Sequence, residues 1–364
     1  SSDVCSSDLD LIKRIAAISA PFLLNRQQIE MYFKPTISKD ALVSKYEKLG
    51  MYGQSERYVE MLHSIEAAAR CDVRVILQGQ SGTGKELIAR AIHEFSERRE
   101  KPFVVVDCGT IPANLVESEL FGYKKGSFTG ASQDRKGLIQ EAESGTLFMD
   151  EIACLPLDMQ AKLLRFLQEG EIRVVGSNVP RKVDVRIISA CSTPLKKLVE
   201  QGRFREDLFY RLHVYPVSVP SLNDRRDDIP ALADHFLTKF SARQKKKVRA
   251  FDQTVLRFLK QRLWQGNIRE LENFIERLVT IAPLDATEIT AKIIPAEYKL
   301  ELKRISESVE IPSSLQEKLD QYERELLLNA LKSENWNQSA AARALKISEG
   351  TLRYKMSKLE IKSR

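Results

Sequence analysis

The period of hydrophobic positions changes several times along the chain. Between residue 53 and about 219, short apolar runs alternate with helical stretches. The runs at 73–77, 103–106, 146–149 and 185–189 are rich in Val, Ile, Phe and Leu. Their length and near-continuous apolarity suit strands covered on both faces, so the segment predicts a parallel α/β sheet. From 227 to about 281 only the helical period remains, which predicts a small all-helical lid. Residues 294–316 mix charge with Ser and read as a linker, and 317–364 are helical again. At the other end, Leu11, Ile15, Ile18 and Phe22 are spaced as on one helix face. Pro35 ends that stretch and a polar connector runs to about Leu49. Residues 1–9 lack an initiator Met and read as a non-native artefact, so they are set aside, with a larger natural N-terminal part expected upstream.

Composition narrows the class. The 364 residues allow two or three domains, and 43% hydrophobic content is ample for packed cores. The chain has no run of about 18 apolar residues and no signal-peptide pattern, so neither a membrane span nor export is expected. Five scattered cysteines (Cys5, Cys71, Cys108, Cys154, Cys191) form no CxxC pair. That usage fits a reduced cytoplasm rather than a disulfide framework or zinc site. The net charge of +7 permits nucleic-acid binding without identifying it.

Chemistry enters at Gly79-Gln80-Ser81-Gly82-Thr83-Gly84-Lys85-Glu86, between the first apolar run and a helical pattern. Strand, glycine loop, lysine and helix make a phosphate-binding loop. Its glycines let backbone N–H groups turn toward a polyphosphate, and the helix N-terminus adds positive potential. Lys85 would reach the β- and γ-phosphates. Glu86 stands where a magnesium-binding Ser or Thr is usual. A second signal, Gly145-Thr146-Leu147-Phe148-Met149-Asp150-Glu151, delivers two carboxylates to the C-terminal edge of the sheet, where ligands of open α/β folds sit. Asp150 would hold magnesium and Glu151 would polarise the attacking water. The cofactors expected are ATP and Mg²⁺.

A third stretch, Glu119-Leu120-Phe121-Gly122 leading into Gly126-Ser127-Phe128-Thr129-Gly130-Ala131, resembles the GAFTGA loop of the sigma-54-dependent transcription activators. These are AAA+ ATPases, and the resemblance covers about residues 50–293 plus the C-terminal helices. It implies an α/β P-loop NTPase core with a parallel sheet (49–220), an all-α lid (221–293), a linker (294–316) and an all-α helix-turn-helix domain (317–364). Residues 10–48 would be the remnant of a GAF-like sensory domain with its linker. In the family the loop touches the sigma factor through its Phe and Thr, here Phe128 and Thr129. An exposed Phe between glycines is costly in water without a partner surface. The stretch 202–212 resembles the segment carrying the family's trans-acting arginines, which map onto Arg205 and Arg211. A guanidinium on a γ-phosphate can add about 10³–10⁵ in rate. Trp264-Gln265-Gly266-Asn267-Ile268-Arg269 resembles the sensor-II motif, with Arg269 reading the phosphate. The stretch 225–230 is also similar to the family's lid.

Several positions depart from the family pattern. Asp107 stands where an Asn usually hydrogen-bonds the water-activating Glu. An ionised Asp107 cannot donate to Glu151, and the like charges repel. Ser192 takes a polar sensor-I place that is usually Asn, Lys124 replaces a common acid, Ser127 replaces Ala, and Gln265 replaces Pro.

At the C-terminus, 338–345 and 347–356 form two short helical stretches with a tight turn, similar to the family's Fis-type helix-turn-helix. Ala341 and Ala342 allow close approach, and Ser348 would cap the second helix. Residues 338–364 hold seven basic and two acidic side chains, which suits a phosphate-facing surface. Ser348, Thr351, Arg353, Tyr354 and Lys355 are candidates for DNA contact. Lys245, Lys246 and Lys247 read instead as a solvated face. The implied function is an ATP-driven activator that binds double-stranded DNA upstream of promoters, assembles from dimer to hexameric ring and remodels the sigma-54 RNA polymerase holoenzyme. The alternative is a repressor-like DNA-binding regulator of the same architecture without productive remodelling.

Overall fold

The computed structural model describes residues 38–128, 131–307, 315–334, 336–359 and 361. The expectations for 1–9 and 10–34, and for Thr129 and Gly130, lie outside these residues. The chain divides into two compact units between Ile293 and Ile294.

In the first unit, α1 (Lys39–Glu47) begins at Ser38, whose hydroxyl accepts from Ala41 N. The sequence pattern reads this stretch as a polar connector. It is instead a helix whose Leu42, Val43 and Tyr46 are buried in the same core as α2 (Glu56–Arg70). Three apolar side chains in a polar stretch suffice when they share one face. Then come β1 (Val75–Gln78), α3 (Lys85–Glu94), β2 (Phe103–Asp107), α4 (Val116–Phe121), the short antiparallel pair β3 (Gly122–Tyr123) and β4 (Arg135–Lys136), α5 (Leu138–Glu141) and β5 (Thr146–Asp150). They are followed by α6 (Leu157–Glu169), the antiparallel pair β6 (Glu171–Arg173) and β7 (Pro180–Lys182), β8 (Arg186–Cys191), α7 (Leu195–Glu200), α8 (Glu206–Leu212) and β9 (Tyr215–Ser218).

The main sheet has the order β2-β5-β8-β1-β9, and every pairing in it is parallel. Its alternation sorts side chains to two cores. Val75, Leu77, Phe148, Ile188 and Ala190 face one, and Ile76, Leu147, Met149 and Ile187 face the other. This is why the strands read as continuous apolar runs. The strand β9 was not legible, because Pro216 breaks the pattern; an edge strand tolerates it.

The lid comprises α9 (Ile229–Gln244), β10 (Ala250–Phe251), α10 (Gln253–Gln261), α11 (Asn267–Ile281) and β11 (Glu288–Ile289). It is not purely helical, since β10 pairs in parallel with β11. Two-residue strands carry no readable period. Lys246 is not a solvated face residue either: its Nζ donates to the carbonyls of Val279, Thr280 and Ala282 at 2.6, 2.7 and 2.7 Å. It thereby satisfies open acceptors at the C-terminal end of α11.

In the second unit, α12 (Lys299–Glu307) occupies part of the expected linker. The unit continues with α13 (Leu315–Ser333), α14 (Gln338–Ala344) and α15 (Glu349–Lys358). Leu327, Leu331, Ala341, Ala342, Leu352 and Met356 form its core. Among the described residues no helix is long and apolar enough to cross a membrane.

Candidate functional site

The strand β1 ends at Gln78 and the chain turns through the phosphate loop into α3. Gly82 and Gly84 have φ of 76° and 92°, values that side chains with a Cβ rarely adopt. A Cβ on Gly82 would also lie 2.2 Å from the carbonyl oxygen of Gly266, so the loop needs glycine on two counts. Thr83 is buried and its hydroxyl donates to Gln80 O at 2.8 Å. Lys85 is 6% exposed, and its Nζ donates to Gly79 O at 3.0 Å and faces Gln80 O at 3.5 Å. The Glu86 carboxylate is committed to Arg90, 2.7 Å away, so residue 86 has only its backbone N–H to offer a phosphate.

The carboxylates expected from β5 arrive at the same edge. Asp150 ends the strand, and burial raises its carboxyl above the usual range. Glu151 follows with φ 45° and ψ 48°, a left-handed conformation that costs a non-glycine residue about 1–3 kcal/mol. Such strain persists only where surroundings over-determine it, and here they fix both carboxylate oxygens. Oε1 lies 3.4 Å from Lys85 Nζ. Oε2 accepts from Ser192 N at 3.2 Å and from Ser192 Oγ at 2.8 Å. Asp107 does not take part: its Oδ1 accepts from Gly109 N at 2.9 Å, closing its own turn. An acceptor beside an acceptor has nothing to donate, and among the described residues Asp107 makes no hydrogen bond to Glu151. The nearby thiols of Cys108 and Cys191 are buried, and burial pushes Cys191 up to about 11.

The chemistry of the donor set fits magnesium. That ion takes one or two carboxylates and completes its shell with substrate phosphates and water. Asp150 at the strand end, beside the phosphate loop, offers such a carboxylate.

From the lid, Arg269 Nη1 donates to Ser81 Oγ at 3.3 Å, and its backbone N donates to Gly82 O at 3.3 Å. Sequence reasoning missed its neighbour Asn267. This residue is fully buried at φ 53°, a conformation that Asn tolerates. Its Nδ2 donates to Ser81 O at 2.9 Å and Gln80 Oε1 at 3.1 Å, and its Oδ1 accepts from Leu222 N at 2.8 Å. The glycine before it and its left-handed tolerance are the only sequence signals.

A cavity of about 380 Å³ opens between the phosphate loop, α2, α9 and α11, lined by Gly50, Met51, Leu87, Phe236, Ile268 and neighbours. The rings of Tyr52 and His235, also in its lining, stack at 4.0 Å. None of these carries a motif, so sequence alone did not place them here.

Arg205 and Arg211 both lie exposed on or beside α8. Arg205 holds Asp207 at 3.1 and 2.8 Å, and Arg211 Nε donates to Leu167 O at 3.3 Å. Neither guanidinium hydrogen-bonds the phosphate loop among the described residues.

The loop proposed to meet sigma rises from β3. Gly126 N donates to Ala131 O at 2.9 Å, and Ala131 N to Phe128 O at 3.0 Å. Lys124 Nζ pairs with Asp134 at 2.5 Å across the base. Phe128 is 42% exposed, with its ring set against Tyr123 at 5.0 Å. Ser127 Oγ is buried with no hydrogen-bond partner among the described residues.

In the second unit Ser348 caps α15, accepting from Thr351 N at 3.1 Å. Tyr354 is 69% exposed, and Arg353 Nε donates to Gln338 Oε1 at 3.3 Å. Lys355, another of the expected DNA contacts, has its ammonium paired with Glu323 of α13. One turn on, Lys358 holds Asp320 of the same helix at 3.0 Å.

Comparison with known proteins agrees with this reading. Residues 51–218 match the sigma-54 interaction domain, 223–310 the AAA+ ATPase lid domain, and 313–359 the bacterial regulatory protein, Fis family. The chain is 40% identical over 324 residues to the phenol regulator MopR of Acinetobacter guillouiae, covering 87% of this chain and 58% of that protein. It is 43% identical over 311 residues to the transcriptional regulatory protein ZraR of Salmonella typhimurium, covering 85% and 69%. Among solved structures it resembles NtrX of Brucella abortus in complex with ATP, with a TM-score of 0.63, 34% identity, and 85% and 70% coverage. The chain therefore spans between about three fifths and seven tenths of the length of these relatives.

Proposed function

Because the chain belongs to the sigma-54-dependent activators, AAA+ ATPases with a Fis-type helix-turn-helix, we propose that it hydrolyses ATP to remodel the sigma-54 RNA polymerase holoenzyme and open promoters. The observation that carries this is the convergence of Lys85, Asp150, Glu151 and Ser192 on one sheet edge beside the phosphate loop. The nucleotide base enters the cavity beside Tyr52 and His235, and the phosphates meet the N–H groups at the start of α3. Lys85 leaves Glu151 for the β- and γ-phosphates. The freed Glu151 accepts a proton from a water whose oxygen bonds to the γ-phosphorus as the bond from that phosphorus to the β,γ-bridging oxygen breaks, releasing ADP and phosphate. Asp150 would hold magnesium, which when bound would neutralise phosphate charge. Arg269 and Asn267 tie the lid to the loop, so phosphate occupancy is felt by the lid.

Arg205 and Arg211 act on a neighbouring subunit's nucleotide in a hexameric ring. Among the described residues the Arg205 guanidinium is held by an exposed ion pair to Asp207, worth roughly 0–1 kcal/mol, and is readily released. The Gly126–Ala131 loop, with Phe128 and Thr129, is the sigma contact. The second unit binds upstream double-stranded DNA as a dimer, and Ser348, Thr351, Arg353 and Tyr354 face it. The protein works in the cytoplasm, where DNA and polymerase are. The domains run 49–220 for the core, which α1 extends back to Lys39, 221–293 for the lid and 317–364 for DNA binding, with residues before α1 joining the core to an upstream sensory part.

The test is co-sedimentation with sigma-54 holoenzyme in the presence of a transition-state analogue of ATP. A complex that needs the analogue and disappears in Phe128→Ala supports the proposal. Failure of the parent chain to form one under any nucleotide condition contradicts it.

A further inference from the structure

Arg74 stands immediately before β1, at the opposite end of that strand from the phosphate loop, and its Nη2 donates to Leu167 O at 2.7 Å. Leu167 lies in the last turn of α6, where carbonyls have no partner within the helix. Arg211, in the last turn of α8, brings its Nε to the same oxygen at 3.3 Å. Segments far apart in sequence thus place two guanidinium groups on one carbonyl. The two contacts are unequal. Arg74 is half-buried and sits at the short end of the hydrogen-bond range, whereas Arg211 is exposed and lies just beyond the usual range. Burial, and the charge of Arg211 beside it, lower the Arg74 pKa. Among the described residues neither guanidinium has a carboxylate partner.

We propose that Arg74 is a positioning residue for Arg211: it keeps the Leu167 carbonyl satisfied and holds Arg211 only loosely there, so that Arg211 is free to reach a neighbouring subunit's nucleotide. The role rests on the trans-acting reading of Arg211 given above. Where a single guanidinium caps a helix-end carbonyl, its departure leaves a polar group without a partner, and that cost opposes release. Here Arg74 retains the carbonyl after Arg211 leaves, so the cost is removed. Before release, repulsion between the two cations disfavours the parked position of Arg211. The exposed member of the pair is therefore the one that leaves.

The test compares Arg74→Met and Arg74→Lys in the full chain, at concentrations where parent turnover per subunit no longer rises. Arg74→Met keeps the apolar stem and removes the donor and the charge. It is expected to lower kcat about tenfold, the order of one hydrogen bond to a charged group, with KM for ATP within about twofold. Arg74→Lys restores kcat to within about threefold. If Arg74 only ties α6 to β1, Arg74→Met lowers stability and leaves kcat within about twofold of the parent, which overturns the proposal. In an Arg211→Ala background, Arg74→Met is expected to change the remaining turnover by less than about twofold, and a further loss as large as in the parent overturns the proposal. Crystal structures of parent and Arg74→Met give a readout free of activity. Arg211 Nε is expected to close on Leu167 O to about 2.9 Å in the variant, and an unmoved Arg211 overturns the proposal. A parent whose turnover per subunit never rises with concentration refutes the trans reading, while the crystallographic comparison still decides whether Arg74 holds Arg211 off the carbonyl.

Discussion

Lys85 Nζ lies 3.4 Å from Glu151 Oε1, so the cation meant for phosphate and the base meant for water neutralise each other. Neither can work until the pair parts, and a polyphosphate supplies the stronger competing anion. Replacing Glu151 by Gln should leave ATP binding within about threefold and lower turnover at least about 100-fold, in the range for loss of a general base. Lys85→Ala should instead abolish measurable binding. Isothermal titration with ATP and a phosphate-release assay separate the two.

Asn267 links the lid to the phosphate loop through Gln80 and Ser81 and to the sheet edge through Leu222. Asn267→Ala leaves buried polar groups unpaired and places a Cβ residue less suited to φ 53°. A loss of about 2–4 kcal/mol in urea unfolding is expected, with weaker ATP binding. Unchanged stability together with unchanged affinity would contradict the link.

Asp228 is 1% exposed and accepts from Gln54 N at 2.6 Å, Ser55 N at 2.8 Å and Ser55 Oγ at 2.7 Å, with buried Arg225 3.7 Å away. It therefore fastens the lid's first turn to the start of α2. Asp228→Ala should cost about 3–5 kcal/mol, because Arg225 would remain buried without its counter-charge. Chemical denaturation measures this.

In the DNA-binding unit, Arg353 and Lys355 should behave differently. Arg353→Ala should weaken DNA binding at all sequences and reduce the salt slope by about 1. Lys355→Ala should leave that slope unchanged and lower thermal stability, since its ammonium is bound to Glu323. Binding isotherms at several salt concentrations decide between them.

Glu66 joins α1 to α2. Burial alone would raise its pKa, but hydrogen bonds from Lys45 at 2.6 Å, Tyr46 at 3.1 Å and Arg70 at 3.1 Å outweigh burial, and the net shift is downward. A carboxylate lowered in the folded state contributes stability above its unfolded pKa and loses it as pH falls through the folded one. The melting temperature should therefore drop below about pH 4.5, and Glu66→Gln should shrink that drop.

Much of this site was legible before folding. The phosphate loop and the Asp150–Glu151 pair are local motifs, whose geometry is set by a strand ending at a turn. The fold class followed because buried parallel strands cannot alternate in polarity. What stayed hidden depends on contacts far apart in sequence. Asn267 meets Ser81 across 186 positions, and Asp228 meets Gln54 across 174. The helix α1 was hidden because its few apolar residues acquire meaning only against α2. The surroundings of Glu151 were half visible: Asp107 shows in the sequence as a side chain with nothing to donate, and only the fold brings Ser192 N and Oγ to the carboxylate.

In the proposed mechanism, ATP is hydrolysed at a site completed by a neighbouring subunit. The measurement that tests it most directly is ATP turnover per subunit as a function of protein concentration. A steep rise is expected as rings assemble, and its disappearance in Arg211→Ala and Arg205→Ala. Turnover per subunit that is flat from dilute to concentrated protein would contradict it.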